Sequence, residues 1–163
     1  MWVKFPPGCP TLKVNMSKIV CHGTMSIPET IVCNAETIKF QNYKTNTPKR
    51  FQVCAFDDEE DSLFLRRLSK KLDIDRANLD FVYFSVCKGA EPHVDLLDPT
   101  VFEPRTFVIP VILPRGKSVI TAEDEHVEVK LNHIYEFNHE KIHSMTLDDK
   151  ESGCVVIMVA VKR

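Results

Sequence analysis

Apolar and polar positions change rhythm near residue 79. From Leu79 onward, short apolar runs alternate with turn residues. Leu79 to Cys87 is rich in Phe, Tyr and Val, and Arg105 to Leu113 is almost wholly apolar; Ser118 to Thr121, His126 to Leu131, Ile134 to Asn138 and Cys154 to Val161 follow at close spacing. That cadence predicts an all-β region. Val127, Val129 and Leu131 alternate with Glu128 and Lys130, the period of a strand with one wet face. Pro114-Arg115-Gly116 breaks the chain for a turn. Pro110, inside an apolar run, predicts an edge strand or a bulge, because proline cannot donate to a ladder.

Upstream the period lengthens. Glu59 to Leu72 carries Phe64, Leu65, Leu68 and Leu72 at helical spacing, with acidic residues at its start and Lys70 and Lys71 at its end. The acidic run Asp57-Asp58-Glu59-Glu60-Asp61 reads as an N-cap and first turn rather than a cation site. Thr30 to Cys33, Ile38 to Phe40 and Phe51 to Ala55 predict further strands extending one sheet. There is no internal repeat or low-complexity segment.

A chain of 163 residues suits one domain with a substantial core, residues 79–163 forming the sheet region and residues 1–78 extending it. The formal charge of -2 gives no bulk attraction to nucleic acid or an anionic membrane, so neither is an expected partner. Two prolines near the N-terminus stand where a signal peptide needs an apolar run, and no stretch approaches membrane-spanning length. A soluble, cytoplasmic protein is expected. None of the six cysteines forms a C-x-x-C pair, and Cys33, Cys54, Cys87 and Cys154 sit in apolar runs, which predicts buried, reduced thiols. The basic clusters Lys44, Lys49, Arg50 and Arg66, Arg67, Lys70, Lys71 lack interleaved aromatics and read as solvated surface.

The chemistry concentrates at His93-Val94-Asp95 and His143. Residues i and i+2 of a strand share a face, so His93 and Asp95 can hold one metal together. A histidine from a neighbouring strand would complete a set of two imidazoles and one carboxylate, which leaves adjacent coordination positions open and suits non-heme Fe(II). His22, His126 and His133 read as surface or turn residues.

With these motifs, the segment from Leu79 to Arg163 resembles the 2-oxoglutarate and Fe(II)-dependent oxygenases of the prolyl hydroxylase type. Four stretches carry the resemblance: Tyr83 ahead of Gly89 and Pro92-His93-Val94-Asp95; Arg105-Thr106 opening an apolar strand; Tyr135-Glu136-Phe137 before His143; and a closing apolar strand. The resemblance implies an all-β fold with minor α, a double-stranded β-helix (jelly roll) buttressed by the helix at Glu59 to Leu72. It implies Fe(II) on His93, Asp95 and His143, 2-oxoglutarate as small-molecule cosubstrate, and hydroxylation of a protein side chain or a small molecule. His139 competes with His143 for the third ligand position; His143 is preferred because the family sets its histidine on the rising edge of a strand, and Ile142 and Met145 supply apolar flanks. Tyr83 stands where relatives place a cosubstrate-pocket tyrosine, though a core aromatic fits equally.

The chain departs from the family where an arginine or lysine on the final strand usually binds the remote carboxylate of 2-oxoglutarate. Ser152, Gly153, Cys154 and Val155 fill that window. Arg105 is the candidate substitute, on the strand after H-x-D where asparaginyl hydroxylases place a lysine; a surface or supporting cation is the equal alternative. Two other classes stay open. One is a metal-binding jelly roll of cupin character that does not use 2-oxoglutarate, and the other is a non-catalytic interaction module with the same fold.

Overall fold

The computed structural model describes residues 17–42, 49–52 and 59–163. In chain order the elements are β1 (Ile19–Thr24), α1 (Glu29–Asn42), β2 (Lys49–Gln52), α2 (Glu59–Leu72), a 3-10 turn (Arg76–Asn78), β3 (Leu79–Cys87), β4 (Ala90–His93), β5 (Phe102–Ile112), β6 (Ser118–Ala122), β7 (Glu125–Glu128), β8 (His133–Phe137), β9 (His143–Leu147) and β10 (Cys154–Lys162). The strands form two sheets, ordered β1-β8-β5-β10-β3-β2 and β4-β9-β6-β7, and every pairing is antiparallel. This is the double-stranded β-helix expected from the sequence, mostly β with two helices.

Burial sorts into two layers. Between the helices and the larger sheet lie Ile31, Ala35, Phe64, Leu65 and Leu68, packed on Phe84, Phe107, Ile109, Ile134 and Ile157. Between the two sheets lie Val108, Ile120, Phe137, Met145, Cys154 and Val156. The central strand β10 is covered on both faces: Val155, Ile157, Val159 and Val161 turn to the helices, while Cys154 and Val156 turn to the smaller sheet. That explains why this strand reads as an unbroken apolar run rather than an alternating one.

In β3 one irregularity decides which residues meet the second sheet. Leu79 and Val82 both face the helices although three positions apart, because the register slips opposite Met158 and Ala160 and Phe81 takes φ 49°. The extra residue resets the period-2 phase. Val82, Phe84 and Val86 then continue under the helices, and Ser85 and Cys87 look into the space between the sheets.

Several expectations are corrected. Thr30 to Cys33 and Ile38 to Phe40 are not strands; they belong to α1, so the molecule has a second helix where one was expected. Ile31, Ala35 and Ile38 fall at i, i+4 and i+7 on its buried side, whereas Phe40 is 92% exposed. The β-branched residues favoured strand on propensity, and tertiary packing overrode it. Ser26-Ile27-Pro28-Glu29 carries a start signal that opposes that propensity, a serine three residues before a glutamate, with Pro28 immediately before the first helical residue and its carbonyl accepting from Val32 N–H at 3.2 Å. Cys33 lies on the outer side of α1 and is exposed, while Cys87 and Cys154 are buried free thiols. β1 adds an edge strand beside β8 that the sequence pattern did not announce. Pro110 marks a register shift against β10, but β5 is internal to its sheet and not an edge. Strand β7 stops at Glu128, and Leu131 is exposed in the following turn. Cys54, Asp57, Asp58, Lys44 and the end of the strand expected at Phe51 to Ala55 lie outside the described residues.

The Glu59–Leu72 helix forms with the expected bounds. It buries Phe64, Leu65, Leu68 and Leu72 and exposes Arg66, Arg67, Lys70 and Lys71. Among the described residues no helix is long and apolar enough to cross a membrane.

Candidate metal centre

Strands β4 and β9 are paired so that His93 and His143 stand directly opposite each other. Asp95 follows two residues after His93, and its backbone N–H donates to the His139 carbonyl at 3.0 Å, which fixes the turn leaving β4. The local extended geometry and the cross-strand register together put three side chains at one point. Ligand atoms of His93, Asp95 and His143 all lie within 4.8 Å of one another, the one such grouping of metal-ligating side chains among the described residues. The Asp95 carboxylate sits between the rings, with Oδ1 3.7 Å from His93 Nε2 and Oδ2 3.6 Å from His143 Nε2. The ring centroids are 4.4 Å apart.

The orientation of the rings shows what the cluster lacks. His93 Nδ1 lies 2.6 Å from the Glu91 carbonyl and His143 Nδ1 lies 2.9 Å from the Lys141 carbonyl. A carbonyl can only accept, so each Nδ1 carries the proton, and in the neutral ring each Nε2 presents its lone pair to Asp95. His143 Nε2 is fully buried and has no hydrogen-bond partner. Two imidazole nitrogens and the Asp95 carboxylate thus converge, with the buried His143 Nε2 left without a hydrogen-bond partner that a cation would supply. Outer carbonyls that fix the tautomer are the usual support of metal-bound histidine. The donor set of two nitrogens and one carboxylate fits Fe(II), and the residues present fit a resident metal.

His139 is buried but stands outside this cluster. Its Nδ1 lies 3.0 Å from Thr106 Oγ1, and burial foremost holds its pKa below the usual histidine value, against the pull of the Asp95 charge. It serves the site through its backbone carbonyl, which holds Asp95. Phe137 packs on His143 with ring centroids 4.7 Å apart.

Beside the imidazoles a cavity of about 60 Å³ opens between the sheets. Val108, Ile120, Phe137, Met145, Val156 and Met158 form most of its wall, with Ser85 and Cys87 from β3. Cys87 and Cys154 are opposed across β3 and β10 with sulfurs 3.7 Å apart, and Cys154 Sγ is 3.8 Å from Met145 Sδ. Sequence reasoning did not single out these wall residues. The i, i+2 spacing of Ser85 and Cys87 on one strand and of Val156 and Met158 on another would have found part of them.

The two residues expected to hold a cosubstrate part company. Tyr83 is half-buried and lines a cleft with Asp95, Leu97 and Thr106, close to the cluster. Arg105 points the other way. Its guanidinium lies over the Phe107 ring, which belongs to the helix-side core, and its Nε donates to Glu136 Oε1 at 2.7 Å. Thr106 and Val108, the next residues of opposite phase, face the cleft and the cavity. Arg105 is therefore not in the wall of this cavity; it lines a separate pocket with Glu136, Phe137 and Lys141. His22 also departs from expectation: its Nε2 is 2.6 Å from Glu136 Oε2 and its ring packs edge-on against Phe107. His126 is exposed and His133 half-buried, each bonded locally.

No protein-family model matches the chain, and no curated protein sequence does. Comparison of folds is positive. The two facing sheets, with an H-x-D pair and a distal histidine at one end, have the double-stranded β-helix fold of Fe(II) and 2-oxoglutarate oxygenases. The chain is similar to a prolyl-4-hydroxylase from Pseudomonas putida, with a TM-score of 0.61 and 9% identity, over 90% of this chain and 92% of that one. It is similar to AviO1 from Streptomyces viridochromogenes Tue57, with a TM-score of 0.52 and 11% identity, over 90% of each chain. At such identities the likeness is one of fold.

Proposed function

We propose that this protein is an Fe(II)-dependent oxygenase in which His93, Asp95 and His143 hold a single iron and a small molecule or a protein side chain is hydroxylated. The observation that carries the reading is the buried, unpartnered Nε2 of His143, aimed with His93 Nε2 at the Asp95 carboxylate. Iron on such a set supplies dioxygen activation and the oxidation of a C–H bond. The chain supplies the rest. The Glu91 and Lys141 carbonyls hold the imidazole protons on Nδ1, the His139 carbonyl fixes Asp95, and the apolar wall beyond His143 keeps water from the reacting space.

2-Oxoglutarate is the cosubstrate that the fold implies, and the described residues fit only one end of it. Open coordination positions suit its chelating end, but no lysine or arginine side chain described lines the cavity that would take its remote carboxylate. That absence favours a second reading, a metal-binding jelly roll of cupin character working without 2-oxoglutarate.

Anaerobic titration with Fe(II), followed by calorimetry, tests the proposal. The wild-type chain is expected to bind one equivalent, and His143→Ala none, with the circular dichroism of both unchanged. A wild-type chain that takes up no iron would leave only the non-catalytic jelly roll.

A further inference from the structure

The cavity beside the cluster is matched to an uncharged group. Its wall is made by residues of both sheets, and apart from the two histidines, Ser85, Ser144 and Cys87 are its polar residues. Where the final strand of the family usually offers a cation, β10 turns Cys154 inward, fully buried against Cys87 and Met145. The one basic side chain near H-x-D on the next strand, Arg105, is held on the opposite face by Glu136. At about 60 Å³ the space equals a handful of waters at about 10–15 Å³ each. It suits a short aliphatic tail.

Resting on the iron reading above, we propose that this cavity accepts a ligand whose tail is uncharged and aliphatic, and rejects a dicarboxylate. A 2-oxo monocarboxylic acid chelates metal through its 2-oxo and carboxylate oxygens as 2-oxoglutarate does, and differs only in the tail. An ionised carboxylate placed among Val108, Val156 and Met158 loses its hydration and, from the described side chains, gains no charged partner. A propyl tail loses nothing there and buries apolar surface. The missing charge-assisted hydrogen bonds correspond to roughly tenfold to a hundredfold in affinity.

The test compares 2-oxoglutarate with 2-oxovalerate, which has the same five-carbon chain and no second carboxylate. Each is titrated anaerobically into the iron-loaded protein and read by the visible charge-transfer band of the chelate and by calorimetry. The expected result is that 2-oxovalerate binds at least tenfold more tightly. Tighter binding of 2-oxoglutarate overturns the proposal. Arg50, which the β2–β3 register sets opposite Ser85, is then the residue to examine, because loss of that binding in Arg50→Ala would assign it the carboxylate. Binding of neither acid to protein that holds iron also overturns the proposal while leaving the metal centre standing. Absence of iron uptake removes the centre itself and the proposal with it.

Discussion

Gly89→Ala probes the link between the fold and the centre. Gly89 joins β3 to β4 with φ +114°, a backbone conformation essentially restricted to glycine. A Cβ there would stand 2.8 Å from the Met145 carbonyl oxygen. Met145 cannot retreat freely, because β9 is laddered to β6 through its pairing with Ile120 and to β4 through Ala90. The backbone strain costs about 1–3 kcal/mol and the overpacking about as much again. The expected loss is thus about 2–6 kcal/mol, and for a chain of this size each kcal/mol lowers Tm by roughly 2–4 °C. Relief of the clash moves β4 away from β9, and with it His93 away from His143. Thermal and urea denaturation of the metal-free protein measure the first effect, and Fe(II) calorimetry measures the second, expected as at least a tenfold loss of affinity. A variant with Tm and iron affinity both unchanged would refute the claim that the Gly89 approach sets the spacing of the two histidines.

Three further outcomes follow from the same geometry. Iron at a hundred times its Kd stabilises the wild-type chain by about 2.7 kcal/mol, a rise in Tm of several degrees in a thermal scan, and Asp95→Asn is expected to show no rise because the carboxylate shared by both imidazoles is gone. Arg105→Ala is expected to leave iron binding unchanged and to cost no more than about 1 kcal/mol, since its partly exposed pairing with Glu136 is screened by solvent; a large loss of 2-oxo acid binding in that variant would contradict its placement. Burial raises the Glu136 carboxyl, but the hydrogen bonds from Arg105 and His22 outweigh it and hold the pKa below the usual glutamate value. A depressed folded pKa means stability present above the unfolded value of about 4.3 and lost as pH falls through the folded value. Denaturation series across that acid range should be flatter for Glu136→Gln than for wild type.

Much of this was legible because it depends on period and spacing alone. The Leu79–Cys87 strand and the closing Cys154 strand stood out as dense apolar runs, and the Glu59–Leu72 helix because its apolar positions recur at helical spacing. His93 and Asp95 could be paired because an extended backbone turns i and i+2 to one side. What was not legible depends on tertiary context. In α1 the β-branched Thr30, Ile31, Val32, Thr37 and Ile38 outweighed a helix-start signal at Ser26 to Glu29, and its packing against the larger sheet settled the competition. The direction of Arg105 turns on the phase of β5, and a stretch as uniformly apolar as Arg105 to Leu113 has no alternation from which to read that phase. The irregularity at Phe81 likewise kept Leu79 and Val82 from sharing a phase with a simple alternation, although Ser85 and Cys87 beyond it keep the i, i+2 spacing that marks the cavity side.

X-ray absorption at the iron edge of the anaerobically loaded protein addresses the metal assignment most directly. Two imidazole nitrogens and at least one carboxylate oxygen are predicted at about 2.0–2.2 Å, the range such ligands adopt on a divalent metal, with one imidazole contribution lost in His93→Ala. A spectrum with sulfur scatterers, or one that His93→Ala leaves unaltered, would contradict it.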